Sequence, residues 1–329
     1  MIISRTPLRA SFFGGGTDFA AYFQNSRFGY GSVISTALDM HVYITVNRRW
    51  DGRIRVVYSG NELVDSVDEV RHNIIREALK MTGIGSGIEI VYMADLPMTN
   101  LGVGLASSSA LAVGTLNALH AYKGETVTPE ILAREACDLE IHHLGQEIGI
   151  QDQYAVSFGG FHRYVFHADG RVEVLPVTED PSLKDELVSR LMLFYTGKAR
   201  DSRPIFKEQK ETTARRKEDV LDPLVEAVEE ANEALLRRDL DRWGTLLRET
   251  WELKKKFASG VSNPEIDEMY GRALRGGALG GKILGAGGGG FLLLYVRPED
   301  RDAVRAALSD FQEVAFRMDP EGSRIIYAK

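Results

Sequence analysis

Three clusters of small residues and one pair of carboxylates are where this sequence could do chemistry. The clusters are Gly14-Gly-Gly-Thr-Asp18, Gly102-Val-Gly-Leu-Ala-Ser-Ser-Ser-Ala110 and Gly285-Ala-Gly-Gly-Gly-Gly290. Successive glycines let backbone N–H groups turn inward and approach a phosphate closely. The second cluster leads into a helix, whose N-terminus adds partial positive charge. Its run Ser107, Ser108, Ser109 supplies hydroxyls for phosphate oxygens or a magnesium ion. That combination suits the phosphates of ATP. The competing reading is a set of tight turns at close helix–sheet contacts. Three clusters in one chain, one of them strand–loop–helix, favour the phosphate reading.

Two other spellings carry nothing. Gly276 to Lys282 imitates a P-loop, but Ile283 stands where a magnesium-binding Ser or Thr belongs and a strand follows. Gly285 to Gly290 spells a dinucleotide fingerprint but opens a strand instead of a helix. The carboxylates carry more. Glu140 and Asp152 lie twelve residues apart, the first late in a helix and the second after the turn Gly145 to Gly149. That turn can bring both to one cleft facing the serine-rich loop. Phosphoryl transfer needs a metal to screen the phosphates and a group to orient or deprotonate the attacking hydroxyl. The alternative for either residue is a structural cap or ion pair. His142 and His143 point to different faces of a helix and lack a third ligand at zinc spacing, so they read as ordinary helix residues.

The elements that must position these groups show in the periodicity. Val33 to Asn47, Arg53 to Tyr58 and Ile88 to Met93 read as strands. A helix is expected from Val67 to Met81, and a small-residue helix from Gly104 through Ala121. Thr128-Pro129-Glu130 starts another, with Thr as N-cap and Pro at the first position, running to about Leu144. Asp169-Gly170 marks a hairpin near a change of unit. Lys207 to Phe257 is charged and helical, its charges most simply a solvated face. Phe291 to Val296 is a buried strand, followed by a helix (Pro298 to Asp310) and strands at Glu313 to Met318 and Arg324 to Tyr327. Two α+β domains are expected, 1–175 and 176–329.

Composition sets the frame. A chain of 329 residues predicts two domains. Lys+Arg number 40 and Asp+Glu 47, a net charge of −7, so a nucleic-acid partner is not expected. No apolar run reaches the length of a membrane span, and the N-terminus lacks the build of a signal peptide. Cys137 is the only cysteine, which excludes an intrachain disulfide and a cysteine-rich metal site. The expectation is a cytoplasmic protein. Its oligomeric state stays open, a homodimer included.

Taken together, Arg5-Thr-Pro-Leu-Arg-Ala-Ser-Phe-Phe-Gly-Gly-Gly-Thr-Asp18, Gly104-Leu-Ala-Ser-Ser-Ser-Ala110 and Lys282-Ile-Leu-Gly-Ala-Gly-Gly-Gly-Gly-Phe291 resemble the three motifs of the GHMP kinase superfamily, in order and at suitable spacing. The Phe-Gly-Gly-Gly-Thr-Asp form, with Gln151 to Gly160 and Leu193 to Gly197, resembles the D-glycero-D-manno-heptose 7-phosphate kinases. The resemblance implies an α+β GHMP kinase fold: an N-terminal domain like the second domain of ribosomal protein S5, and a C-terminal ferredoxin-like α+β domain. ATP and sugar would meet between them. By the same resemblance Gly102, Gly104, Leu105, Ala106, Ser107, Ser108 and Ser109 form the ATP loop, and Gly285, Ala286, Gly287 and Gly288 the third-motif loop. Asp152 matches a catalytic base, Glu140 a magnesium-ligating glutamate and Ser108 the hydroxyl completing the metal site. The chain departs from the family in a longer interval from Pro97 to Ser107 and in Ala106, which replaces a glycine or serine.

The sugar side rests on the same resemblance. Arg9 aligns with an arginine near the transferring phosphoryl group and Asp18 with a sugar-binding aspartate. Thr17 and Gly159 lie in the matching stretches and are expected against the substrate. Gly15 and Gly16 stand where galactokinases carry Glu and His. Losing those side chains opens space and removes a charge that would repel an anion. The acceptor is therefore expected to carry a phosphate, held by Lys198, Arg200 and Arg203, unless those cations are solvated surface charges. The activity implied is ATP- and Mg²⁺-dependent phosphorylation of the anomeric hydroxyl of a heptose 7-phosphate, toward nucleotide-activated heptose and surface polysaccharide. Rival readings are another sugar 1-kinase of fucokinase or galactokinase type, a mevalonate-type kinase, or a non-catalytic ATP- and sugar-binding sensor.

Overall fold

The computed structural model describes residues 1–96, 104–197 and 203–329. Its strands are β1 (Ile2–Phe13), β2 (Tyr30–Arg48), β3 (Ile54–Val57), β4 (Asn61–Val64), β5 (Ile88–Ala94), β6 (Phe161–His167), β7 (Val172–Pro176), β8 (Leu191–Tyr195), β9 (Ala278–Ile283), β10 (Phe291–Val296), β11 (Gln312–Glu313) and β12 (Arg324–Ala328). The helices are α1 (Ala20–Phe23), α2 (Asn73–Thr82), α3 (Ser107–Tyr122), α4 (Pro129–Cys137), α5 (Gln151–Phe158), α6 (Pro181–Ser189), α7 (Arg203–Thr212), α8 (Asp222–Leu236), α9 (Leu240–Lys255), α10 (Pro264–Arg275) and α11 (Arg301–Ala307).

β2 organises the first sheet. Its β-branched run buries Val33, Ile34, Val42, Ile44 and Val46, as residues that fit a pleated surface should. β1 runs antiparallel along almost its whole length, β6 pairs with its first half and β5 with its second. The sheet order is β12-β1-β2-β5-β3-β4, with β6 and β7 branching from β2. Among the described residues, only β3 and β5 pair in parallel. The ladder shifts register between Pro7 and Leu8, where proline cannot donate a ladder bond. Arg9 follows that bulge.

The second sheet has the order β11-β8-β10-β9, all antiparallel. Renumbered within this half it is 4-1-3-2, with helices between the first and second strands and between the third and fourth. That is the ferredoxin-like arrangement expected above. The two halves interlock through α9, whose buried Trp243 packs edge-on against Phe12 and Phe13 of β1 with ring centroids 5.1 and 5.0 Å apart. Aromatic pairs of this geometry add to the area they bury, so α9 is held at a fixed height on β1.

Local differences from the sequence reading have identifiable causes. The helix expected from Val67 starts at Asn73, after a single 3₁₀ turn at Val67–Glu69. Buried Glu62 accepts the N–H groups of Arg71 and His72 at 2.6 and 3.1 Å and holds those residues off the helix. The strand expected over Glu313 to Met318 is two residues long, with Met318 bridging singly to Leu38. The chain's last strand, β12, returns to the first sheet beside β1.

Candidate active site

Arg9 and Asp152 form the floor of the cleft. Arg9, 2% exposed, donates from Nε and Nη2 to the two carboxylate oxygens of Asp152 at 2.8 Å each. This bidentate geometry is the strong form of a charge-assisted pair. The remaining arm, Nη1, donates to the Gly104 carbonyl at 2.7 Å, and the Arg9 N–H to the Leu105 carbonyl at 3.1 Å. One side chain thus ties together β1, the first turn of α5 and the loop that opens α3. Asp152 stays partly open to the cleft.

Glu140 lies behind them. α4 runs into a π-helical turn at Asp138–His143, closed by the Leu144 N–H on the Leu139 carbonyl at 3.0 Å. Turns of this kind concentrate at functional sites, and here one turns Glu140 fully inward. Its Oε2 accepts from Ser109 Oγ at 2.7 Å and Gln153 Nε2 at 2.6 Å. Its other oxygen is buried without a hydrogen-bond partner. Burial pushes this carboxyl up to about 7, against the pull of Ser109, Ser108 and Gln153 and with a further push from Asp152. His143 faces Asp138 and Glu77 at the surface, an ordinary helix environment.

Asp18 closes the opposite wall. It is 3% exposed and accepts from Gly16 N–H at 2.9 Å and Gln151 N–H at 3.3 Å. Burial raises its carboxyl, the Gly16 bond lowers it, and Asp152 raises it further. A Cβ on Gly149 would fall 1.9 Å from Asp18 Oδ2, so only glycine lets α5 approach this closely. The cleft is lined by residues of both halves, among them Arg9, Asp18, Gly15, Asp152, Lys254 and Lys282.

The two lysines are functional candidates that sequence reasoning missed. Lys254 is 6% exposed, not part of a solvated face, and donates to the Gly15 carbonyl at 2.7 Å. Burial brings its pKa down to about 8, with Asp18 opposing. Lys282, equally buried, donates to the Phe12 carbonyl at 3.1 Å and is shifted well below the usual lysine range by burial, then by neighbouring Lys254 and Arg9. A signal for Lys254 existed: Leu247, Thr250, Trp251 and Lys254 fall at helical spacing on the buried face of α9.

Among the predicted loop residues, Gly104 and Gly285 meet backbone to backbone. A Cβ on Gly104 would lie 2.3 Å from the Leu284 carbonyl oxygen, and one on Gly285 would lie 2.7 Å from Gly104 Cα. The second and third motifs are therefore one continuous surface, with Leu105, Ala106 and Ser107 buried beneath it and Ser108 half-buried at the start of α3. Ala106 holds a left-handed φ of 61° at the N-cap, a conformation that costs a non-glycine residue energy. Ala286 and Gly288 are used by the fold: Gln209 donates to the Ala286 carbonyl and Gly288 N–H to the Val261 carbonyl at 2.6 Å. A Cβ on Gly287 would fall 2.4 Å from the same Val261 oxygen.

Several expected substrate contacts lie elsewhere. The Thr17 hydroxyl is buried within the fold, bonded to the Gly14 and Ser32 carbonyls at 2.8 Å each and accepting from Ser32 N–H at 3.0 Å. Gly16 packs against the Phe257 ring while still lining the cleft. Gly159 abuts the backbone of Glu321 and Gly322, away from the cleft lining. Arg203 is an exposed residue at the start of α7, whose Phe206 and Gln209 reach the cleft instead. Gly102, Lys198 and Arg200, with most of the longer interval after Pro97, lie outside the described residues.

Residues 70–160 match the GHMP kinases N terminal domain and residues 231–314 the GHMP kinases C terminal family, together more than half of the chain. Fold and matches define a phosphotransferase with an alcohol group as acceptor. The chain belongs to the GHMP kinase family, whose members use ATP. It is 29% identical over 323 residues to D-glycero-alpha-D-manno-heptose 7-phosphate kinase of Campylobacter jejuni, covering 93% of each chain. It is 27% identical to mevalonate kinase of Thermococcus sibiricus over 90% of this chain and 92% of that one. Among solved structures, a D-glycero-D-manno-heptose 1-phosphate kinase from Bacteroides thetaiotaomicron superposes with a TM-score of 0.82 over the full length of both chains, at 23% identity. That last likeness is one of fold.

Proposed function

We propose that this enzyme transfers the γ-phosphoryl group of ATP to the anomeric hydroxyl of D-glycero-D-manno-heptose 7-phosphate, giving the 1,7-bisphosphate. The observation that carries the reading is the Arg9–Asp152 pair at the floor of a cleft that also holds two buried lysines. An acceptor bearing its own phosphate matches that charge, and the Campylobacter jejuni relative acts on such a sugar by name.

In this mechanism the acceptor hydroxyl donates its hydrogen bond to Asp152, which takes the proton as the oxygen attacks the γ-phosphorus and the bond from that phosphorus to the β,γ-bridging oxygen breaks, releasing ADP. Arg9, already on Asp152, holds that carboxylate in place and faces the charge that builds on the transferring group. Asp18 accepts from sugar hydroxyls. The surface made by Gly104, Ser108 and Gly285 takes the ATP phosphates. Glu140 and Ser108 fit a magnesium ion, because a buried carboxylate oxygen without a partner stands beside hydroxyl oxygens. When bound, the ion screens the phosphate charge. Among the described residues no three His, Cys, Asp or Glu side chains cluster as a metal site, so phosphate and water would complete the shell. The enzyme is read as two units, 1–175 and 176–329, with β12 lent back to the first. Its place is the cytoplasm, and no described helix is long and apolar enough to cross a membrane.

A coupled ADP-release screen across heptose 7-phosphate, mannose, fucose, galactose and mevalonate tests this. Heptose 7-phosphate should give the highest kcat/KM. A neutral sugar or mevalonate turning over faster would replace the assignment.

A further inference from the structure

Gly15, one of the two glycines expected to open space for an anion, sits at the centre of a cradle of buried polar side chains. A Cβ built on it would lie 3.7 Å from each of three polar atoms: Lys254 Nζ, Gln151 Nε2 and Ser11 Oγ. These come from three separate elements, α9, α5 and β1. All three side chains are at least nine-tenths buried, and Ser11 Oγ has no hydrogen-bond partner. The Lys254 ammonium has three donors, one of which goes to the Gly15 carbonyl. The glycine leaves open a space faced by an ammonium, an amide and a hydroxyl.

Buried donors without acceptors are costly, and a buried ammonium more so. Asp152 is committed to Arg9, and Asp18 accepts from two backbone N–H groups. Arg9, Lys254 and Lys282 against Asp18 and Asp152 leave one cation in excess in the cleft wall. Water and neutral hydroxyls would satisfy the hydrogen bonds but not this charge. A phosphate monoester would satisfy both, since its oxygens are acceptors only and carry nearly two negative charges at neutral pH.

We propose that the Gly15 cradle, with Lys254 as its principal ligand and Gln151 and Ser11 beside it, binds the phosphate that the acceptor sugar already carries. The site thereby selects sugar phosphates over free sugars. This moves the specificity determinant from the cations after Gly197 to the buried face of α9, and it rests on the phosphosugar reading given above. Gly15 is the opening residue. Its contacts would accept a methyl group at ordinary van der Waals distance, so alanine would narrow the cradle without disrupting the fold.

The test compares D-glycero-D-manno-heptose 7-phosphate with D-glycero-D-manno-heptose in steady-state kinetics of wild type, Lys254→Met and Gly15→Ala. Lys254→Met should raise KM for the phosphosugar at least about tenfold, as expected for losing a hydrogen bond to a charged group. KM for ATP should stay within about twofold of wild type, and KM for the free heptose should rise far less than KM for the phosphosugar. Gly15→Ala should show the same pattern by narrowing the space, and it keeps the question answerable if Lys254→Met fails to fold. If wild type uses both sugars equally, the phosphosugar reading itself falls, and this inference with it. If wild type prefers the phosphosugar but both variants keep that preference, the reading stands and the cradle is not the phosphate site. An equal rise in KM for both sugars, or a fall in kcat alone, would also overturn it and leave Lys254 a structural or transition-state role.

Discussion

Glu140→Gln separates what the fold wants at this position from what the chemistry wants. The carboxyl is fully buried, and its pKa is pushed from 4.5 up to about 7. A raised folded-state value means that the folded protein holds the proton more tightly than the unfolded chain. The stability this contributes is fully present below about pH 4.5 and is lost as pH rises through about 7. At about pH 8 the wild type carries the full penalty, on the order of 3 kcal/mol. Glutamine has no such dependence. The stability of Glu140→Gln relative to wild type should therefore rise by about 2–3 kcal/mol between roughly pH 5 and pH 8, other groups cancelling in the difference. Urea denaturation of both proteins in EDTA at several pH values measures it. The same variant should lose the stabilisation that Mg²⁺ with ADP gives the wild type, since an anionic oxygen ligand is gone. A relative stability that stays flat across this pH range would refute the argument that desolvation governs Glu140. Retention of the Mg²⁺-dependent gain would assign the metal to other groups.

Asp152→Asn should lower kcat by about 10²- to 10⁴-fold while leaving ATP affinity nearly unchanged; turnover near wild type would remove Asp152 from the chemistry. Gly149→Ala places a methyl group 1.9 Å from Asp18 Oδ2, so the carboxylate must move. KM for the acceptor should rise well above wild type with KM for ATP unaltered, and an unchanged acceptor KM would take Asp18 off the sugar. Thr17→Val keeps the shape but strips the buried Ser32 N–H of its acceptor, at a cost of about 1–3 kcal/mol in thermal or urea unfolding. An acceptor KM that rose with no stability loss would restore Thr17 to the substrate site.

Part of the candidate site was legible because its chemistry is written in local spacing. The serines at the start of α3, Glu140 and Asp152 could be placed from the glycine loop, the Thr128 cap and the turn before α5; the structure sets Asp152 in the cleft wall and hydrogen-bonds Ser109 to the buried Glu140 behind it. Strand positions followed from β-branched runs, as in β2. What stayed hidden depends on contacts distant in sequence. Lys254 lies in a stretch dense with Lys, Arg and Glu, where charge reads as solvent exposure and masks its helical spacing with Leu247, Thr250 and Trp251; the docking of Trp243 on Phe12 and Phe13 shows which face of α9 is turned inward. The hydroxyl of Thr17 was drawn toward the substrate by its motif, whereas Ser32 on β2 claims it. The return of β12 to β1 joins the two ends of the chain, and no local pattern encodes that pairing.

The central claim is transfer of a phosphoryl group to one hydroxyl of one sugar phosphate. Phosphorus–proton correlation NMR of the product formed from ATP and D-glycero-D-manno-heptose 7-phosphate tests it most directly. The predicted result is a second phosphate signal coupled to the anomeric proton, formed by wild type and nearly absent with Asp152→Asn. A new phosphate coupled to any other sugar proton, or ADP release with no new sugar phosphate, would contradict the account.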